Sequence, residues 1–412
     1  MSLPHRLGAA ARWLSVATAL VLSACAGVYE GPSALIAPRP TAITPSPSGT
    51  STATPTAPVA LVIGVEATPT PCSTASILAT WTVTRLAEQT IVIPVDENNV
   101  MSIRSEVAAG AGGVILFGSS APTNLGAQLQ ALNAVAPDGI KPFIMTDEEG
   151  GVVQRMANLV GSIPSARQMG ATMTPTQIEQ LAFGLAQRMR AAGVTMDLAP
   201  VLDVDGGQGP NNFNADGTRS FSANVATASG DGVAFATGLR NGGIVPVVKH
   251  FPGLGGATGN TDVTAAATQS WSALQSGGLP PFEAAVAAHV PAVMVANATV
   301  PGLTNQPASV SPAVINGILR GRLGFQGLVI TDSLSAVALS ASGYTVPSAA
   351  VAALDAGADM VLYNADPSTV AAVTSQTVSA MVSAVNAGTL SRAALEIAAG
   401  RVLAAKGVDL CP

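Results

Sequence analysis

Basic residues are scarce in this sequence, and no stretch of it gathers them into a cluster. The 412 residues include 18 lysines and arginines against 24 aspartates and glutamates, which gives a formal charge of −6 and a pI near 5.0. A partner with a dense negative surface needs a positive patch on the protein, because phosphate charges supply most of its affinity. We therefore expect no nucleic-acid partner and no electrostatic attachment to an anionic membrane.

Several signatures of metal and cofactor enzymes are also missing. The chain has three histidines, His5, His250 and His289, and no HExxH or HxxxH spacing, so we expect no zinc site. No GxGxxG follows the first apolar run, which argues against a dinucleotide fold, and no GxSxG elbow supports a serine hydrolase. We expect neither a metal nor a cofactor.

The first residues are typical of an export signal. Arg6 and Arg12 give a positive start, and the apolar run Trp13–Leu22 is too short to span a bilayer as a helix. The segment ends in the letters LSAC, with Cys25 last, which resembles the bacterial lipobox. This predicts a lipoprotein signal peptide at 1–24, lipidation of Cys25 and anchoring to the outer face of the cytoplasmic membrane. A plain secretory signal, which would leave the protein secreted, is the alternative.

Proline, threonine, serine and alanine dominate the next stretch, as in TAITPSPSGTSTATPTAPVA. Such a composition buries too little apolar surface to offset the entropy of the chain. We predict a disordered or extended tether at residues 25–74 that gives the protein reach from the membrane.

Two further cysteines flank the rest of the chain. Cys72 precedes the apolar, patterned region, and Cys411 is the penultimate residue. The ends of a domain often lie close together, and an exported protein meets an oxidising compartment. We predict a disulfide between Cys72 and Cys411.

From residue 75 onward, apolar runs of strand length alternate with alanine-rich stretches that carry helix-capping residues. The eight runs are Thr90–Pro94, Gly113–Phe117, Pro142–Thr146, Val194–Ala199, Ile244–Val248, Ala292–Ala296, Leu328–Thr331 and Met360–Tyr363. The candidate helices are Thr176–Ala192, Asn224–Arg240, Pro281–His289, Ser311–Arg322, Ser348–Ala356 and Thr374–Asn386. This α/β alternation predicts a single (β/α)8 TIM-barrel-like catalytic domain at 75–412. An open doubly wound sheet is the alternative, because alternation does not show closure.

Polar residues follow five neighbouring runs, at the strand ends where a barrel carries its active site. They are Asp147 after the third run, Asp203 after the fourth, Lys249 and His250 after the fifth, Asn297 after the sixth and Asp332 after the seventh. Several carboxylates with one lysine and one imidazole suit a polyhydroxylated ligand. Glycosidases use two carboxyl groups that flank the scissile bond. A Schiff-base aldolase that uses Lys249 is the alternative chemistry.

The motifs at these strand ends resemble those of glycoside hydrolase family 3, in particular its single-barrel bacterial β-N-acetylhexosaminidases. The matching letters, in the family's order, are GGVILF, DEEGG with QR, LAPVLDV, TRSF, KHFPG, LGFQGLVITD and AGADMVL. They cover essentially everything after residue 76, and KHFPG together with GFxGxVxTD is highly specific.

The resemblance implies a role for each position. Asp332 would be the nucleophile of a retaining mechanism, and the side chains that would bind the sugar are Asp147, Arg219, Lys249 and His250. Asp203 would support Lys249 or Arg219 from behind, and we include Asp203 and Asn297 among the expected substrate-binding residues.

One loop departs from the family. The relatives carry an Asp–His pair after KHFPG that serves as the general acid/base, whereas this chain has no histidine there and ends the loop in Asp262. Asp262 could donate the proton directly; alternatively, turnover could be confined to activated substrates, or the protein could bind glycans without cleaving them. The implied substrates are β-N-acetylglucosaminides from peptidoglycan fragments in the cell wall, with β-glucosides as the alternative.

Overall fold

A computed structural model describes residues 72–411. The predicted signal peptide, the lipidation site Cys25 and nearly all of the predicted tether lie outside these residues, and they stay predictions. Within the described part, no helix is long and apolar enough to cross a membrane.

Eight parallel strands of the described chain form one sheet. Their order is β11-β8-β7-β6-β3-β2-β1-β12, and a parallel bridge between Ile330 and Met360 joins the two edges. The strands are β1 Ile91–Asp96, β2 Gly113–Phe117, β3 Phe143–Thr146, β6 Met196–Asp197, β7 Val245–Phe251, β8 Ala292–Val295, β11 Leu328–Thr331 and β12 Val361–Leu362. The predicted (β/α)8 barrel is confirmed, and the open doubly wound alternative is wrong.

Two short antiparallel hairpins lie outside the barrel sheet. One pairs β4, Glu148–Gly150, with β5, Val153–Gln154, and the other pairs β9, Thr299–Val300, with β10, Thr304–Pro307. The first of these hairpins directly follows β3, so it stands at the end of the barrel that carries the polar side chains.

Helices surround the sheet and fill most of the connections. They are α1 Thr74–Leu78, α2 Val83–Gln89, α3 Arg104–Ala109, α4 Leu125–Asn133, α5 Ala157–Val160, α6 Ala166–Thr172, α7 Pro175–Ala191, α8 Val225–Asn241, α9 Trp271–Leu274, α10 Pro280–Ala287, α11 Val337–Ala341, α12 Val346–Asp355, α13 Val370–Ala387 and α14 Arg392–Ala405. The predicted helix at Ser311–Arg322 is a π-helix over Ala313–Arg322. Short 3-10 turns occupy Val100–Ile103, Pro137–Gly139, Gly217–Arg219 and Ala308–Val310.

The core has two layers because side chains alternate along each strand. In β2, Val114 and Leu116 pack against the helices, whereas Ile115 belongs to the cluster inside the barrel. Each fully buried side chain of this size stabilises the fold by about 1.5–3 kcal/mol.

A disulfide joins Cys72 to Cys411, whose Cα atoms are 5.8 Å apart. Cys72 precedes α1 and Cys411 lies in the segment that follows α14, so the bond holds the two ends of the described chain together.

Candidate active site

A cavity of about 630 Å³ opens at the carboxyl ends of the barrel strands. Its wall contains six of the residues that the sequence singled out: Asp147, Arg219, Lys249, His250, Asp262 and Asp332. Each comes from the end of a barrel strand or from the loop that follows, so the fold brings together residues up to 185 positions apart in sequence (332 − 147).

Lys249 lies in the last part of β7 and is paired with two carboxylates. Its Nζ is 2.8 Å from Asp147 Oδ1 and 2.7 Å from Glu149 Oε1, and all three side chains are largely buried. Burial alone would lower the pKa of Lys249, but the two carboxylates raise it above its usual value. Both ion pairs favour the ammonium form of this side chain over the free amine that a Schiff base requires, which argues against the aldolase alternative.

Arg219 forms a two-point ion pair with Glu149. Nε and Nη2 donate to the two carboxylate oxygens at 2.7 and 2.8 Å, and Nη1 donates to the carbonyl of Ala215 at 2.9 Å. Although burial opposes it, the pKa of Glu149 is lowered by the charges of Arg219 and Lys249. Removing one member of such a buried network would leave a charge unpaired, which typically costs about 3–5 kcal/mol.

The prediction missed Glu149. Three carboxylates stand in a row, and the backbone at the β3–β4 junction is extended, so Asp147 and Glu149 share the cavity face while Glu148 points away. Glu148 accepts hydrogen bonds from the backbone N–H of Met156 at 2.7 Å and from Gln154 Nε2 at 2.8 Å, which fixes the β4–β5 hairpin. The alternation of side chains along a strand predicts that Glu149 shares the face of Asp147.

His250 is held by Asp203. Nδ1 lies 2.6 Å from Asp203 Oδ2, and the backbone N–H groups of His250 and Leu254 donate to the same carboxylate at 3.1 and 2.6 Å. Burial and then the charge of Arg219 lower the pKa of His250 to about 4, so the imidazole is neutral at physiological pH. Nδ1 then carries the hydrogen donated to Asp203, and Nε2 lies 3.5 Å from Arg219 Nη2.

The sequence predicted the wrong partner for Asp203. Asp203 is fully buried and does not line the cavity, so it is not a substrate contact. It supports His250 rather than Lys249 or Arg219, because its carboxylate accepts from the imidazole Nδ1 and from the backbone N–H groups of His250 and Leu254.

Asn297 was also misplaced. It is buried outside the cavity wall, where Nδ2 donates to the carbonyl of Ser333 at 2.7 Å and Oδ1 accepts from Ser309 Oγ at 2.6 Å. Both polar groups of the amide are therefore occupied within the protein. Asn297 fixes the backbone after Asp332 and offers nothing to a substrate.

Asp216 is a second buried carboxyl group near His250, and no sequence motif indicated it. Neither of its oxygens has a hydrogen-bond partner in the described chain. Burial and then the charge of Asp203 raise the pKa of Asp216 well above its usual range. Ligand atoms of Asp203, Asp216 and His250 lie within 4.8 Å of one another, but N–H donors already occupy both oxygens of Asp203.

Asp332 comes directly after β11 and lines the cavity. Its Oδ1 accepts the backbone N–H of Ser333 at 2.7 Å. Burial raises the pKa of Asp332, and the negative charge of Asp262 contributes in the same direction. The two carboxyl groups therefore interact across one cavity.

Asp262 is exposed on a loop that hydrogen bonds hold in place. Its backbone N–H donates to Asn260 Oδ1 at 3.0 Å, and Asn260 Nδ2 donates to the carbonyl of Asn211 at 3.2 Å. The N–H of Ala338 donates to the carbonyl of Thr261 at 3.0 Å, which ties this loop to α11. The loop that carries Asp262 follows β7, as the sequence predicts, and Asp262 lines the cavity.

Further polar groups complete the wall. Arg155 Nη2 lies 3.4 Å from Asp147 Oδ2, with its guanidinium over the ring of Phe117. Ser333, Ser335 and Asn364 also line the cavity. The sequence indicates Arg155 only as part of the QR motif, because its separation from β3 does not predict which way its side chain points.

A family model described as "Glycosyl hydrolase family 3 N terminal domain" matches residues 90–405 of this chain. A curated relative, Beta-hexosaminidase LpqI of Mycobacterium tuberculosis, is 36% identical over 285 residues, which cover 66% of this chain and 70% of the relative.

Two solved structures resemble the fold closely. A family 3 glycosyl hydrolase from Mycobacterium smegmatis has a TM-score of 0.72 at 34% identity, covering 81% of this chain and 99% of that one. A β-N-acetylhexosaminidase from Beutenbergia cavernae has a TM-score of 0.72 at 31% identity, covering 80% and 100%.

Proposed function

This chain belongs to glycosyl hydrolase family 3 and is a glycosidase that acts on β-linked sugars, and we propose that it is an exported, retaining β-N-acetylhexosaminidase. The resemblance that the sequence motifs indicated is thereby confirmed. Family membership also favours an enzyme over the glycan-binding alternative.

The observation that carries the mechanism is the pair of carboxyl groups, Asp332 and Asp262, in the wall of one cavity. Asp332 attacks the anomeric carbon, and the bond to the leaving group breaks as Asp262 gives its proton to the departing oxygen. Asp262 then removes a proton from water, which attacks the same carbon and releases Asp332. Two inversions leave the configuration of the sugar unchanged.

The cations and acids around the cavity are suited to holding the sugar. Asp147, Arg219, Lys249 and His250 are fixed by mutual ion pairs or by Asp203 before any ligand arrives, so little side-chain entropy is lost on binding. Charged groups form strong hydrogen bonds to hydroxyls. This arrangement supports recognition of the sugar next to the scissile bond.

The names of the relatives support a β-linked N-acetylhexosamine as the sugar, and the signal-like N-terminus supports export with lipidation at Cys25. An enzyme outside the cytoplasmic membrane would meet N-acetylglucosamine in peptidoglycan fragments. β-Glucosides are the second candidate, because the loop that ends in Asp262 lacks the histidine of the relatives.

Hydrolysis of nitrophenyl β-N-acetylglucosaminide and nitrophenyl β-glucoside by the purified protein tests this proposal. We expect a higher kcat/KM for the first, the β-anomer as first product in proton NMR, and loss of several orders of magnitude in Asp332→Asn. The control Asp355→Asn, at the exposed end of α12, should leave the rate unchanged. Faster cleavage of the glucoside would overturn the sugar assignment, and the α-anomer as first product would overturn retention.

A further inference from the structure

Three exposed apolar side chains lie beside Asp262 on the cavity rim. Phe213 is 84% exposed, Val263 is 48% exposed and Val337 is 40% exposed, whereas most large apolar side chains of the described chain are buried. Phe213 lies in a loop between the cavity-lining Pro210 and Ala215, Val263 follows Asp262, and Val337 begins α11 directly after the cavity-lining Ala336. Val152, which is 72% exposed in the turn of the β4–β5 hairpin, is a separate exposed apolar residue. We call Phe213, Val263 and Val337 the apolar lip.

Backbone hydrogen bonds make the apolar lip continuous. The N–H of Asn260 donates to the carbonyl of Asn212, and the N–H of Val337 donates to the carbonyl of Asp262, each at 3.4 Å. Phe213 directly follows Asn212, which is hydrogen-bonded to the Asp262 loop. Val337 is hydrogen-bonded to Asp262, the residue before Val263. The lip follows the side of the cavity on which Asp262 stands.

The exposure of Phe213 is built into its loop. Asn211 Oδ1 accepts the backbone N–H groups of Phe213 and Asn214 at 2.8 and 3.1 Å, and Asn214 Nδ2 donates to Asp205 Oδ2 at 2.8 Å. These bonds form an Asx turn anchored to a buried carboxylate. The turn holds the ring outward, where water contact costs free energy unless a ligand covers it.

We propose that the apolar lip is the leaving-group subsite and takes the apolar face of a second sugar ring in a β-linked glycan. The proposal rests on the proposed function, because a proton donor stands on the leaving-group side of the scissile bond and Asp262 marks that side. The C–H face of a pyranose ring is flat and apolar enough to lie on an aromatic ring, while its hydroxyls stay in water.

A neighbouring cavity of about 490 Å³ shares Phe117, Ser335 and Asn364 with the first and has the carboxyl groups of Asp96 and Asp366 in its wall. Acidic, hydrated side chains gain little from a sugar's C–H face. The apolar lip, which lies beside Asp262, is therefore the better place for the second ring.

The test compares a β-linked disaccharide with the methyl β-glycoside of the same sugar. In Phe213→Ala, the ratio of kcat/KM for the disaccharide to that for the methyl glycoside should fall about fivefold to tenfold, which corresponds to about 1–1.4 kcal/mol for the lost aromatic contact. The control Phe183→Ala removes a 39% exposed ring from α7, and it should leave the ratio unchanged. An unchanged ratio in Phe213→Ala would contradict the assignment of the apolar lip as a sugar subsite, but it would not contradict the proposed glycosidase activity.

A binding measurement separates the lip from the reaction. Calorimetry on Asp332→Asn, with and without Phe213→Ala, should show weaker disaccharide binding in the double variant and equal methyl glycoside binding. If the wild-type protein cleaves neither compound but this difference appears, the proposed function fails and the lip stands. If only nitrophenyl glycosides respond to Phe213→Ala, the lip takes an aryl group and the second-sugar assignment is overturned.

Discussion

Single carboxyl groups in this site differ in pKa because their partners differ. Asp147 and Glu149 are buried, yet the charges of Lys249 and Arg155 lower the pKa of Asp147, and the charges of Arg219 and Lys249 lower the pKa of Glu149. Within residues 72–411, no cation pairs directly with Asp332, and burial raises its pKa. The paired acids therefore serve as fixed hydrogen-bond acceptors, and the unpaired one is free to react.

Substitution of Asp262 should change both the rate and its pH dependence. Asp262→Asn removes the proton donor, so kcat/KM for a methyl glycoside should fall by about 10²–10⁴-fold, and for a nitrophenyl glycoside by much less. The charge of Asp262 raises the pKa of Asp332, so its removal lowers that pKa. Because Asp332 attacks only when ionised, the rise of kcat/KM with pH should move to lower pH. Profiles of kcat/KM against pH for the nitrophenyl glycoside measure this.

The matched control is Asp366→Asn, which neutralises an exposed rim aspartate whose charge does not contribute to the pKa shift of Asp332. Its pH profile should equal that of the wild type. A profile for Asp262→Asn that coincides with the wild-type profile, with no loss on the methyl glycoside, would exclude Asp262 as the acid.

At the residue level, strand ends predicted which side chains meet but not which way they face. Asp147, Lys249, His250 and Asp332 line the cavity as expected. Asp203 does not, because β6 is only two residues long and irregular backbone separates Asp203 from it. A carboxyl group buried behind an imidazole leaves no periodic pattern in the sequence. The sequence therefore could not predict that Asp203 and Asp216 lie beside His250.

At the level of elements, apolar runs located all eight barrel strands. Gly113–Phe117 and Leu328–Thr331 agree with the prediction at both ends, but β7 runs on to Phe251, so Lys249 and His250 lie within a strand and not after it. The apolar run stops at Val248 because these two polar side chains serve the site. Alternation of strands and helices does not show closure, since that depends on the bridge between Ile330 and Met360.

The β4–β5 hairpin should tolerate no side chain at Gly150. Its φ is +97°, and a Cβ there would stand 2.2 Å from the carbonyl oxygen of Pro164. Gly150→Ala must shift the hairpin and with it Glu149, which holds Lys249 and Arg219. We expect a rise in KM together with a lower Tm, measured by steady-state kinetics and thermal unfolding.

Gly388→Ala is the control for the backbone strain. Gly388 has φ of +74° at the end of α13, with no atom within 4 Å of the added Cβ. Gly388→Ala should lower the free energy of unfolding by roughly 1 kcal/mol, because alanine adopts a positive φ less readily than glycine, and it should leave KM unchanged. Equal effects of the two substitutions on Tm and KM would show that the hairpin does not position Glu149.

For the whole molecule, the closed barrel makes the two ends of the described chain neighbours. The helix α1 packs beside α14, and Arg392 Nη2 donates to the carbonyl of Trp81 at 2.6 Å. The disulfide between Cys72 and Cys411 closes a loop with a sequence separation of 339. The unfolded chain loses more entropy from such a cross-link as the loop grows longer.

Loss of this disulfide should therefore destabilise the protein without altering the site, which lies at the strand ends and not beside α1. Cys72→Ser with Cys411→Ser should lower the free energy of unfolding by about 3–5 kcal/mol and Tm by about 4–7 °C, with KM unchanged. Dithiothreitol should bring the wild-type Tm to the same value and leave the double variant unaffected, because the variant has no such bond to reduce. A wild-type Tm that does not respond to the reductant, with no linked Cys72–Cys411 peptide in an unreduced digest, would show that the bond does not form.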